Sequence, residues 1–202
     1  MAILLVASGL RFYGIDWDGG IGAHPDERYV VGLADSVAWP DRLNPFQLAP
    51  DYAYGHLPVY LLAATRVIAP DADSLLLGRL VAGLFGVGTV AITFALARRT
   101  FDRRVGLLAA AFAALTPLHV QQAHFYTTDS LLGCLSLAAV LFAARLAEGG
   151  RVADAWFAGA WAGLAIGTKG SAALLAFPMA AACSLANSKR RGCYWRVGLA
   201  AT

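Results

Sequence analysis

The sequence predicts an all-α integral membrane protein, a polytopic helical bundle with interfacial amphipathic helices in its first external loop. Three observations carry this prediction. The 202-residue chain is 58% hydrophobic and only 14% charged, with a mean hydropathy of +0.59, whereas about a quarter of a soluble domain is charged. Its apolar stretches alternate with short basic connections. One interruption alone is long, from Asp16 to about Pro70, and it is rich in acids and aromatic rings.

A hydrocarbon core about 30 Å thick needs roughly 20 apolar residues in helix. Residues 1–15 read as a shortened first span. They lack a basic leading region and a small-residue cleavage site, so they are not a cleaved signal. Further spans are expected near 74–97, 105–126, 129–147, 155–168 and 171–188, with a seventh beginning near 197. Pro117, His119 and two glutamines make the far end of the 105–126 stretch polar. Gly78, Ala82 and Gly86 repeat every four residues, as do Ala155, Gly159, Gly163 and Gly167. Such faces let helices approach closely in lipid.

Basic residues set the orientation. Arg98, Arg99, Arg103 and Arg104 form one connection, Arg145 and Arg151 another, and Lys189, Arg190, Arg191 and Arg196 a third. All three are expected in the cytoplasm. The 16–73 loop, the Leu118–Thr128 turn and the Lys169 turn then face outside, together with ten of the thirteen acids. The net charge of +3 is segregated by position and indicates no nucleic-acid partner. Cys134, Cys183 and Cys193 all lie away from the long polar loop, so no disulfide framework is implied.

Within that loop, Pro25 at a first helical position with Asp26 and Glu27 behind it reads as a helix start. Val30, Leu33, Ala34 and Val37 form its apolar stripe, and Trp39 before Pro40 ends it. A second helix is expected from Pro58 to Ile68, too short to span and therefore lying in the interface. Trp17, Trp39, Tyr52, Tyr54 and Tyr60 suit that depth. Asn44 to Pro58 reads as an irregular loop between the two helices.

Acids in a first helical turn complement the helix dipole, worth about 0.3–1 kcal/mol, and need no further role. Asp26 and Glu27 have company, however. Asp129 opens the 129–147 span after Thr127-Thr128, and Lys169 stands in a tight Gly-Thr-Lys-Gly turn. Arg79 lies one turn inside its span, where the plain reading is a buried partner for Asp129 or for a backbone carbonyl. Charges within membrane spans point to function. His56 lies in Tyr54-Gly55-His56-Leu57-Pro58, whereas His119 and His124 are five apart and poorly spaced for a helical metal site. Two acids and several cations thus face one aqueous side. A carboxylate can deprotonate an acceptor hydroxyl, and cations can neutralise a departing phosphate.

The same residues carry a resemblance. The chain resembles the lipid-linked sugar transferases of the GT-C fold, specifically the protein O-mannosyltransferase and aminoarabinose transferase group (glycosyltransferase family 39). The matching segments are His24-Pro25-Asp26-Glu27, Tyr54 through Tyr60, Gly78-Arg79-Leu80, Arg98 through Asp102, His119-Val120 to Thr128-Asp129, and Thr168-Lys169-Gly170. The resemblance implies an inverting hexosyl or pentosyl transfer from a polyprenyl-phosphate sugar donor to a glycan, lipid or protein acceptor. It places the protein among the lipids of the plasma (inner) membrane with its active face extracytoplasmic. By it Asp26 would be the catalytic base, Glu27 would position acceptor or base, and Asp129 would support the site. Lys169, with Arg79 and His56, would face the donor phosphate. No protein cofactor is implied, and a divalent cation is left open. Family members usually have eleven or more spans, so this chain looks like an N-terminal portion.

Three other classes compete with this reading. A transporter would place charges near the bilayer midplane and break helices there, whereas these charges sit at span ends. A polysaccharide polymerase or ligase would also use outer-face Arg and His. A non-catalytic membrane fragment is the plainest option.

Overall fold

The computed structural model describes residues 1–38, 49, 52–149 and 151–186. Among these the secondary structure is helical: α1 (Ala2–Phe12), α2 (Pro25–Ser36), α3 (Leu57–Ile68), α4 (Ser74–Thr100), α5 (Arg103–Leu115), α6 (Pro117–Gln122), α7 (Thr128–Ala147) and α8 (Val152–Thr168). An apolar helix, α9 (Gly170–Ala186), follows and opens with a 3-10 turn over Gly170–Leu175. Helices α4 and α7 are long and apolar enough to cross a membrane. At 1.5 Å per residue they measure about 40 Å and 30 Å.

Helix α4 is the spine. It packs against α1, α5 and α7, and α7 in turn packs along α8. One end of this assembly is tied by Arg99 to Glu148 (2.6 Å) and by Arg145 to Asp154 (2.7 Å). At that end Asp102 caps α5, accepting from the amides of Arg104 and Val105. The other end carries α2 and α3. The expected stripe of α2 is buried there, with Val30, Leu33 and Ala34 in one cluster with Val59 and Leu62 of α3, Leu75 of α4 and Leu131 of α7. Val37 is partly buried against the same cluster.

The expected 105–126 span is not one helix. It divides at Thr116, whose ψ of 117° is extended, and α6 begins with Pro117. A residue before proline is pushed out of the helical region, and proline has no amide to donate to the carbonyl four residues back. The freed carbonyls of Ala113 and Ala114 are taken up by Arg11, which is only 1% exposed and donates to both at 3.1 Å. A third bond from Arg11 returns to Ala7 of its own helix.

The small-residue faces also differ from expectation. Gly78 receives the ring of Tyr126, and Gly86 receives Arg11 and Ala123, so side chains rather than a helix backbone fill that groove. On α8 the buried positions include Asp154, Ala158, Ala162 and Ala165, while Gly159 and Gly163 point outward. The contact with α7 therefore falls on the alanine row beside the glycine row. Trp39, most of the 44–51 stretch, the third basic cluster, Cys193 and the seventh span lie outside the described residues.

Candidate functional site

Glu27 is fully buried, although its neighbour Asp26 is exposed. Adjacent positions stand about 100° apart around a helix, so the first turn of α2 can aim one carboxylate inward and the other outward. Inside, Arg79 reaches from α4 and holds Glu27 with two parallel bonds, Nε to Oε1 at 3.0 Å and Nη2 to Oε2 at 2.9 Å. The amide of Tyr126 donates a third bond to Oε1 at 2.8 Å. The other side of the guanidinium meets Asp18, with Nη1 to Oδ1 and Nη2 to Oδ2 both at 2.8 Å. Nη1 also donates to the carbonyl of Ile15 at 3.1 Å. A guanidinium has five N–H groups, and these bonds use them all. Its central carbon lies 5.5 Å from the centre of the Trp17 ring.

Arg79 also holds the Asp18 carboxyl well below the usual carboxylate range, helped by the amides of Ala23 and Gly20. Asp18 therefore stays ionised throughout the neutral range. Arg79 has no donor left for a phosphate. It pairs with Glu27 and Asp18 rather than with Asp129, and the expected carbonyl partner is that of Ile15. Its place is inside the wall of the site.

Beside Asp26 runs a row of rings, Tyr29 exposed and Tyr54 half-buried, with Tyr52 buried between them. Tyr29, one turn along α2 from Asp26, lies 5.7 Å from Tyr52, and Tyr52 lies 5.7 Å from Tyr54. Tyr54 carries the Lys169 ammonium 5.3 Å from its ring centre. Lys169 then meets Asp129 at 3.3 Å, and solvent reaches both side chains, 34% and 49% exposed. Burial is the main reason that the Tyr52 hydroxyl is held above the ordinary phenol value, and the charges of Tyr54, Tyr29 and Asp26 add to it. Asp26, Lys169 and Asp129 thus border one aromatic wall.

A close backbone contact sets that wall. The Gly55 amide donates to the Thr168 carbonyl at 3.0 Å, and a Cβ at Gly55 would run into the Gly167 carbonyl. Only glycine lets the loop before α3 reach the end of α8. His56 follows at the N-cap of α3, its ring 5.4 Å from Tyr52. Burial holds the His56 ring below its ordinary value, which favours the neutral imidazole. His56 therefore borders the wall as a polar group more than as a charge.

His119 is exposed on α6, while the ring nitrogens of His124 face the carbonyls of Val120 and Tyr13. The two histidines do not converge, and no group of three or more His, Cys, Asp or Glu among the described residues could hold a metal ion. Sequence reasoning missed Asp18 and Tyr126. Asp18 is one of many acids in a polar glycine-rich loop, and nothing in its spacing separates it from Asp16.

No curated protein and no solved structure matches the chain. Residues 57–199 match the dolichyl-phosphate-mannose-protein mannosyltransferase family. That range includes Arg79, Asp129 and Lys169 and begins one residue after His56, leaving Asp18, Asp26 and Glu27 upstream. It covers well over half the chain, and with two helices able to cross a membrane it supports a membrane location. The chain belongs to the dolichyl-phosphate-mannose-protein mannosyltransferase family and is thereby a membrane glycosyltransferase by family.

Proposed function

We propose that the protein moves a sugar from a polyprenyl-phosphate donor to a hydroxyl acceptor at the extracytoplasmic face of the membrane, with inversion at the sugar carbon. One observation carries this reading: an exposed carboxylate, Asp26, and a solvent-accessible ammonium, Lys169, border one aromatic wall at the helix ends. Lys169 faces the donor phosphate and neutralises it as it leaves. Asp129 holds the ammonium in place until then. Asp26 takes the proton from the acceptor hydroxyl as its oxygen attacks the sugar. The aromatic rings receive the sugar, and the apolar helices beside them keep the prenyl tail in lipid.

Two substitutions separate the roles. General-base assistance is worth about 10²–10⁴-fold, so Asp26→Asn is expected to lose transfer by about that factor while retaining donor binding. Lys169→Met is expected to raise the donor KM instead. The measurement is label moved from radioactive polyprenyl-phosphate mannose to membrane-extract acceptors in proteoliposomes. Near-normal transfer by Asp26→Asn would leave that residue as a helix-dipole partner and remove the base from this mechanism.

A further inference from the structure

The Asp26 carboxylate is exposed, yet the chain on both of its flanks is held. On the upstream side Asp18 accepts from the Ala23 amide at 2.8 Å, one residue before the N-cap of α2, and from the Gly20 amide at 3.2 Å. On the downstream side Arg79 grips Glu27, the residue after Asp26. Asp18 belongs to both restraints, because its two oxygens also receive Arg79 at 2.8 Å each. Its side chain is 4% exposed. The loop around it contains Gly14, Gly19, Gly20 and Gly22 at positive φ, so that segment takes little order from its own backbone preferences.

A fork with two carboxylates on it can face only one way. Charge-assisted, paired bonds of this kind are short and directional. With Asp18 neutral or absent, Arg79 keeps Glu27 and the Ile15 carbonyl but loses its second paired, charged contact, and the Ala23 amide loses its charged acceptor. Both effects loosen the same turn. We infer that Asp18 is a positioning residue: acting through Arg79 and the Ala23 amide, it sets where the first turn of α2 presents Asp26. The inference rests on the reading of Asp26 as the base, although its structural half stands without it.

The test uses Asp18→Asn in the full chain, reconstituted in nanodiscs, with hydrogen exchange and transfer measured side by side. Amides of residues 28–30, the first of α2 to be bonded into the helix (Arg28 donates to the His24 carbonyl at 3.1 Å), are expected to exchange at least about tenfold faster, as a locally released segment does, while those in the middle of α4 and α7 keep their protection. In transfer from polyprenyl-phosphate mannose, kcat is expected to fall about 10–100-fold, the scale of a misplacement near 1 Å, with the donor KM within about twofold. Here kcat is counted per folded molecule, because general instability lowers the active fraction and so the apparent kcat at unchanged KM, yet leaves survivors with normal kcat. Asp18→Ser keeps an oxygen near the loop amides but removes the charge from Arg79, and it serves the same comparison should the Asn variant not assemble. Unchanged exchange at 28–30 overturns the inference, as does loosening spread evenly over all helices. If the unsubstituted chain moves no sugar, the transferase reading fails, and the exchange result still decides the positioning.

Discussion

An ionised group withdrawn from water must find its hydrogen bonds inside the protein, and Arg79 and Glu27 show how completely this can be met. Glu27 takes three donors and Arg79 places five. Such a centre specifies geometry more than it adds stability, because desolvation offsets much of the attraction. Breaking it is another matter. Removing one partner leaves the rest buried and unmatched, a loss of about 3–5 kcal/mol. Glu27→Ala is therefore expected to lower stability by about that amount, measured by thermal unfolding in detergent, whereas Asp26→Ala on the exposed side should cost no more than its dipole contribution, at most about 1 kcal/mol. Equal effects at the two positions would contradict the inward and outward division of this turn.

At the scale of elements, the break at Thr116-Pro117 matters most. A helix that stops within an apolar bundle leaves carbonyls without donors, each costing about 1–3 kcal/mol when buried and unpaired. Arg11 meets two of them from a different helix, so α1 is joined to the end of α5 by the defect itself. Arg11→Leu keeps an apolar stem and removes the donors. It is expected to destabilise the protein by about 2–6 kcal/mol, twice the single-carbonyl range, and to increase exchange near the end of α5 before the rest unfolds. A loss below about 1 kcal/mol would mean that water or lipid headgroups satisfy these carbonyls instead.

For the whole molecule, the helix ends sort into two sets. The Arg99–Glu148 and Arg145–Asp154 pairs gather at one end, and Asp18, Glu27, Arg79, Asp129 and Lys169 at the other. The positive-inside tendency predicts that the first end lies in the cytoplasm. Single cysteines introduced at Asp35 and Arg103, in a chain whose own cysteines are replaced, are expected to react with an impermeant maleimide from opposite sides of oriented vesicles, Asp35 from outside. Labelling of Asp35 only from the cytoplasmic side would invert the orientation and with it the proposed face of transfer.

Hydropathy and turn residues alone were enough for the helical class, the long spans of α4 and α7, and the starts of α2 and α3. These are local properties: an apolar run of sufficient length, a proline at a first position and a stripe with helical spacing each act within a few residues. Other features needed the folded chain. The split of the 105–126 stretch could be read as polarity around Pro117, but its repair by Arg11 joins residues about a hundred positions apart. The alanine row of α8, rather than its glycine row, meets α7 because helix rotation depends on the neighbour's shape. Arg79 left the expected phosphate group for the same reason. Which acid a buried guanidinium takes depends on what the fold brings within hydrogen-bonding reach, and here Asp18 and Glu27 arrive before any substrate can.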